Sequence, residues 1–332
     1  MVSVMGKRGL FLVWLCLVSI LPGMAQTEKL IDYVNPFVGT DGYGNVYPGA
    51  QIPFGGIQMS PDTDSKYYDA ASGYKYNHST LLGFSLTHLS GTGIPDLGDF
   101  LFIPGTGEMK LDPGTREEPE KGYRSRYSHE KEWASPNYYA VELSDYGVKA
   151  EMTSGVRSGM FRFTYPQSDK AFIMIDMNHT LWQSCEWANL RMENDSTITG
   201  YKLVKGWGPE RHIYFTATFS KKLTGLRFMQ NKKPVIYNTS RFRSSYEAWG
   251  KNLMACISFD TKAGEEVIVK TAISSVSTNG AKNNMAELAG LAFDELKAKG
   301  EALWEKELGK YTLTADRKTK RTFYTLSLIH IS

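Results

Sequence analysis

Between Asp32 and about Thr278 the apolar residues come in short runs that alternate with polar ones or cluster in β-branched and aromatic types. Residues 138–143, 159–165, 171–176, 212–219, 253–259 and 266–274 each have the length and character of a strand. Turn signals separate them, among them Asp41-Gly42, Asp145-Tyr146-Gly147, Asn178-His179 and Ala263-Gly264. Many short strands without helical patterns between them predict a mainly β fold, a large antiparallel β-sandwich. A span of about 250 residues is long for a simple sandwich, so two large, elaborated sheets are expected.

The pattern changes near Asn284. Met285, Leu288, Leu291, Ala292, Leu296, Leu303, Trp304 and Leu308 recur at helical spacing, with Glu287, Glu295, Lys297, Lys299, Glu301 and Lys306 between them. Gly290 and Gly300 are weak points at which this helix can divide. A second helix is expected from Ala315 or Asp316, with Thr314 as a candidate cap. A sandwich followed by helices predicts a second, helical domain, yet too few residues follow Glu305 to build a bundle, leaving the helices after Met285 with nothing in this chain to pack upon. The run Leu326 to Ser332 is the peptide read in one frame from the end of a transposase-based sequencing adapter, and it is expected to break the amphipathic pattern. The expected organisation is a leader at 1–25, a sandwich at 26–280, a helical linker at 281–308, the start of a second domain at 309–325 and an adapter-derived tail at 326–332.

The leader is read from Lys7 and Arg8, the apolar run 9–21 and a small-residue cleavage site before Gln26, a secretory signal peptide. The run is shorter than the roughly 20 residues of a spanning helix, so no transmembrane segment is expected after cleavage. Export to the periplasm or the medium follows. Of 332 residues, 42% are hydrophobic and 13% aromatic, which excludes a disordered chain. Removing Lys7 and Arg8 leaves 36 basic against 35 acidic residues, a balance that gives no electrostatic reason to bind nucleic acid or an anionic membrane. After cleavage only Cys185 and Cys256 remain, either two buried thiols or one incidental bridge.

Three segments concentrate special residues: 35–50 (NPFVGTDGYGNVYPGA), 70–76 (AASGYKY) and 83–99 (GFSLTHLSGTGIPDLGD). Four glycines and two prolines in the first force a tightly folded loop, and in the third a strand carrying His88 runs into a glycine-rich loop with two aspartates. Each could be plain turn chemistry between strands. Together, rich in Tyr, Asp, Ser and Thr, they suit a polyhydroxylated ligand such as a sugar.

In order and length these segments resemble the N-terminal domain of glycoside hydrolase family 92, exo-acting α-mannosidases. The resemblance runs through NPFVGTDGYGNVYPGAQIPFGGIQMSPDT, SGY and the SGTG-x-x-D-x-GD loop, then residues 138–143, Glu151-Met152-Thr153, Arg157 to Phe163 and, near the end, residues 320–325, and it covers residues 30 to 325. It implies a sandwich (supersandwich) joined by a helical linker to an (α/α)6 barrel, of which residues 309–325 would be the first helix. It implies a calcium-dependent inverting hydrolase of terminal α-mannosides of N-glycans or mannans, with a glutamic acid protonating the leaving oxygen and an aspartate activating water. The acid, the base and the calcium ligands would all lie in the barrel, so no catalytic or metal residue is expected in this fragment, which should be inactive alone. Loops of the sandwich would flank the sugar pocket, which places Phe37, Gly73, His88, Ser90, Gly91, Thr92, Gly93, Ile94 and Pro95 near a mannose-containing substrate. Ile94 would give an apolar contact without ring stacking.

Other candidates are weighed on their own chemistry. Asp96 and Asp99 are expected to cap turns or to bond backbone N–H groups rather than to catalyse. Glu117 and Glu118 belong to a charged surface stretch. His88 is either a buried, hydrogen-bonded histidine or a sugar contact, and His78, His129, His179 and His212 lack metal-ligand spacing. Trp133, Trp182, Trp187, Trp207, Trp249 and Trp304 are each expected in the core or an interface, with Trp182 and Trp187, in a loop-like stretch, the better sugar platforms. The sequons at Asn77, Asn178, Asn194 and Asn238 would matter only in a eukaryotic secretory pathway. The rival expectation is a stand-alone carbohydrate-binding sandwich, against which the unpartnered helices after Met285 count.

Overall fold

The computed structural model describes residues 28–66, 68–235 and 246–331. The expected leader, with Cys16, and the sequon at Asn238 lie outside them. The described residues form a mainly β fold of two large antiparallel sheets packed face to face. The smaller sheet has the order β1 (Ser60–Asp62), β3 (Gly83–Ser85), β4 (Leu101–Thr106), β10 (Ser168–Asp176), β17 (Leu253–Thr261), β14 (Gly225–Gln230), β15 (Lys233–Pro234). The larger runs β16 (Tyr246–Gly250), β11 (Ser184–Asn194), β12 (Thr197–Lys205), β13 (Arg211–Phe219), β18 (Glu265–Ser274), β9 (Ser158–Tyr165), β8 (Val148–Ser154), β7 (Tyr138–Leu143), β6 (Glu132–Ser135). A short ladder pairs β2 (Thr80–Leu81) with β5 (Ser125–Arg126).

Aromatic residues join the sheets across the core, with Phe102 on Phe161 at 5.0 Å and Phe100 on Phe215 at 4.5 Å between ring centres. The other face of the smaller sheet is buried too. Leu101, Ile103, Phe172, Met174 and Met254 pack there with Leu82 and Tyr123, and Met109 and Leu111 lie against them. Burial on both faces is why residues 171–175 are a continuous apolar run, whereas β12 alternates buried and part-exposed positions. The strands β11 and β12 escaped the sequence pattern because their outer faces are polar and β11 carries irregular register near Cys185 and Met192. Trp187 therefore stands on a strand, not in a loop. Cys185 and Cys256 are separate buried thiols, and burial pushes Cys256 up to about 12.

The first helix, α1 (Thr278–Asn284), is capped by Ser277, whose Oγ accepts the Gly280 N–H at 3.0 Å. A 3-10 turn (Met285–Leu288) follows, and Gly290, with φ +71°, separates it from α2 (Phe293–Leu308). Gly300 does not break α2. A Cβ there would stand 1.7 Å from Asn137 Nδ2, so this glycine lets the helix lie against the sheet. The last helix is α3 (Arg317–Ile331), and its cap is Asp316 rather than Thr314, accepting the Thr319 N–H at 2.9 Å.

The expectation that these helices have nothing to pack upon is corrected. Phe293 and Leu296 pack on Met160 and Tyr138, and Trp304, Leu308, Tyr324 and Leu328 enclose Ile31, Tyr33 and Val34 from the start of the described chain. Trp304 Nε1 donates to the Gln51 carbonyl at 2.7 Å, and Glu305 accepts the Ile31 N–H at 2.9 Å. The expected pattern break at Leu326 does not occur, because Leu328, one turn after Tyr324, continues the buried stripe. Among the described residues no helix is long and apolar enough to cross a membrane.

Candidate functional site

The three glycine-rich segments, far apart in sequence, meet at one backbone carbonyl. Asn45 O, in the first loop, accepts the Gly91 N–H of the third at 2.7 Å and the Ser72 hydroxyl of the second. Phe37 packs against the rings of Tyr74 and Tyr76, at 6.3 and 5.7 Å, which ties the first and second segments again. Below Tyr76, the buried carboxylate of Glu132 accepts the Tyr74 hydroxyl at 2.9 Å and bonds His129 Nδ1 at 2.6 Å.

Beneath the loops lies a buried aspartate, Asp62, with His88 Nε2 on one oxygen and His179 Nε2 on the other, both at 2.7 Å. His88 Nδ1 faces the Gln58 carbonyl at 2.8 Å. His88 Nε2 also lies 3.1 Å from the Ser85 hydroxyl, so the ring is held at once by a carbonyl, a carboxylate and a hydroxyl. Burial alone would raise the Asp62 carboxyl; the His88 charge and the hydrogen bonds from both histidines outweigh it and hold the group well below the usual carboxylate range. Gly73 is required here by a close approach. Its φ is +83°, and a Cβ would stand 2.0 Å from Asp62 Oδ1.

A second buried aspartate closes the third loop at its base. Thr87 Oγ1 donates to Asp99 Oδ2 at 2.7 Å and receives the Asp99 N–H at 3.0 Å, so residues 88–98 form a loop with joined ends. The Asp99 oxygens also hold Lys202 from β12 at 2.9 Å and Arg211 from β13 at 2.5 and 3.1 Å. Lys202 also donates to the His179 carbonyl at 2.6 Å, joining the two centres. Burial opposes the Asp99 charge, and the two cations overcome it and keep the carboxyl well below its ordinary range. The expectation of a turn-capping Asp99 is thus corrected to a buried ion pair, while Asp96 does bond a backbone N–H, that of Leu97 at 2.6 Å.

Of the nine candidates, His88 takes the first of its two readings. Its side chain is buried beneath the loop and offers no surface to a ligand. Gly73 is likewise buried, Phe37 is half-buried, and Ser90 to Gly93 and the exposed Ile94 form the outer edge, with Pro95 buried behind. Asp62, His179, Lys202 and Arg211 had no sequence signal, since Asp62 and His179 are 117 positions apart. Of the two places expected for the tryptophans, the core or an interface, the core holds one of the six. Only Trp304 is buried; Trp133, Trp182, Trp187, Trp207 and Trp249 are exposed. Among the described residues no group of three or more His, Cys, Asp or Glu side chains could hold a metal ion.

Residues 33–274 match the profile of the glycosyl hydrolase family 92 N-terminal domain, which is most of this chain. The chain belongs to glycoside hydrolase family 92. It is 89% identical to a family GH92 α-mannosidase of Bacteroides thetaiotaomicron solved in complex with mannoimidazole, with a TM-score of 0.89. That match covers 91% of this chain and 40% of the other, so the chain spans about two fifths of this relative's length. A family GH92 inverting mannosidase of the same species shares the fold at a TM-score of 0.77 and 24% identity, over 92% of this chain and 40% of that one. An uncharacterized secreted glycosidase of the fungus Arthroderma benhamiae is 30% identical over 147 residues, 44% of this chain and 19% of that protein.

Proposed function

We propose that this chain is the N-terminal, substrate-flanking part of an exported α-mannosidase that removes terminal α-mannose from N-glycans or mannans. The observation that carries it is the meeting of the three motif loops at Asn45, in a chain 89% identical to a GH92 α-mannosidase solved with mannoimidazole. The buried acids Asp62 and Asp99 are tied up by cations and shape the loops, so proton transfer to a glycosidic oxygen falls to residues of a barrel that α3 would begin. Calcium belongs, on this proposal, with that barrel. Residues 26–325 alone should release no mannose. The test is to read the gene from unfragmented DNA past codon 325 and assay the encoded protein for mannose release, with and without a chelator. A frame that continues into a barrel and an activity lost with the chelator support the proposal. A stop right after codon 332, or mannose release by residues 26–325 alone, overturns it.

A second function, a free-standing carbohydrate-binding sandwich, gains from one observation: α2 and α3 bury part of their apolar surface within this chain, although Leu303, Phe323 and Leu326 stay exposed. It is favoured if the frame stops and the chain still binds mannosides.

A further inference from the structure

Beside the loops the sandwich end holds a cleft of about 700 Å³, within the range that encloses small-molecule ligands. Apolar Leu111, Met229 and Met254 line it together with polar Asp176, Asn178 and Asn252. Its charged groups balance, Lys66 and Lys232 against Asp112 and Asp176, and Lys232 is bonded to Asp112. Such a lining has no bias toward an anion or a cation and suits a neutral, hydroxyl-rich ligand. A second, shallower hollow of about 520 Å³ lies between Ile94, Pro95 and Trp207, and the two share Trp182 and Gln183.

Trp182 is the unusual residue of this junction. Its φ of +63° lies in the left-handed region, which is strained for a bulky residue. Burial recovers little of that, since the residue is 58% exposed. The indole is nonetheless positioned: its backbone N–H donates to Ser65 O at 3.0 Å, and the Tyr68 ring meets it edge-on at 5.4 Å. Gln183 beside it donates to the Pro95 carbonyl at 3.2 Å, and its buried Oε1 has no partner among the described residues. Gly206 leaves room for this amide, since a Cβ there would stand 2.5 Å from Gln183 Cδ.

We propose that the two hollows form one oligosaccharide-binding groove, in which the Trp182 indole stacks on a sugar ring and the chain runs from the Ile94–Pro95 edge into the larger cleft. The ligand is a neutral oligosaccharide of at least three units. The proposal rests on the motif loops being a saccharide site, and it adds subsites beyond them. The test titrates the full ¹⁵N-labelled chain with α-mannotriose, maltotriose and methyl α-mannoside, following the Trp182 indole N–H signal in the wild type and the Gln183 side-chain amide signals in the wild type, Trp182→Ala and Trp182→Phe.

Mannotriose should bind about ten-fold more tightly than methyl α-mannoside and shift that signal. Trp182→Ala should weaken mannotriose about five-fold or more, with Trp182→Phe within about two-fold of wild type. If maltotriose alone binds, with the same Trp182 dependence, the groove stands and the mannoside assignment falls. If mannotriose binds no better than methyl α-mannoside and ignores Trp182→Ala, the groove is overturned while the mannoside assignment stands. Absence of binding by all three sugars overturns the groove.

Discussion

Asp62 and Asp99 are the same residue type, both buried, both under the same loops, and they are neutralised in opposite ways. Asp62 sits between two imidazoles, His88 on one oxygen and His179 on the other. Asp99 sits between a buried lysine and an arginine, two cations whose ordinary pKa values lie well above neutral pH. An imidazolium can give up its proton and stay buried as a neutral ring, and a buried ammonium left without its counter-ion has no comparable escape near neutral pH. The anchor at Asp99 is therefore the less forgiving of the two, and it is the one that fixes the Ser90–Pro95 edge to the larger sheet.

The same substitution at the two sites tests this. Asp99→Asn strands Lys202 as an uncompensated buried cation and should cost about 3–5 kcal/mol in urea unfolding. Asp62→Asn should cost about 1.5–3 kcal/mol, the range for a hydrogen bond to a charged group, because an imidazole, unlike an ammonium, can also accept, and so can pair with the new amide. If Asp62→Asn proves the more damaging, the contrast drawn here is wrong.

The smallest effect is on pH dependence. Both carboxyls lie below their ordinary value of 3.8 in the folded chain, so each contributes stability that is complete above that pH and is lost as pH falls toward its folded value. The deficit of Asp99→Asn relative to wild type should thus be constant from about pH 7 to 5 and narrow below about pH 4. A deficit that stays constant to about pH 2 would remove the charge from the explanation.

Much of the fold was legible because burial leaves a period. The six strands read from alternation and apolar runs are present, and α2 shows its stripe of Phe293, Leu296, Trp304 and Leu308. The strands β11 and β12 were missed where a polar outer face and irregular register blur the period. The candidate site was legible as three loops but not as a constellation. What organises it is pairing over long sequence separations, Asp62 with His179 and Asp99 with Lys202 and Arg211, to which no local pattern points. For the tryptophans the sequence could not separate core from surface, because apolar area predicts burial only on average, whereas an exposed indole such as Trp182 is held by its backbone and by Tyr68.

The clasp between the start of the described chain and its last helices also sets a schedule for synthesis. Tyr33 O accepts from Thr325 Oγ1, 292 positions later, and the Leu30 and Ile31 N–H groups wait for Glu305. At a translation rate of about 5–20 residues per second, on the order of 15–60 s pass between the emergence of those two ends. Through that interval Ile31, Tyr33 and Val34 wait for Trp304, Leu308, Tyr324 and Leu328, and before it ends every described strand of both sheets has been made. The sandwich is thus made before its own first residues can be tied down, and a nascent chain stalled before Trp304 would present that segment to a protease or a chaperone.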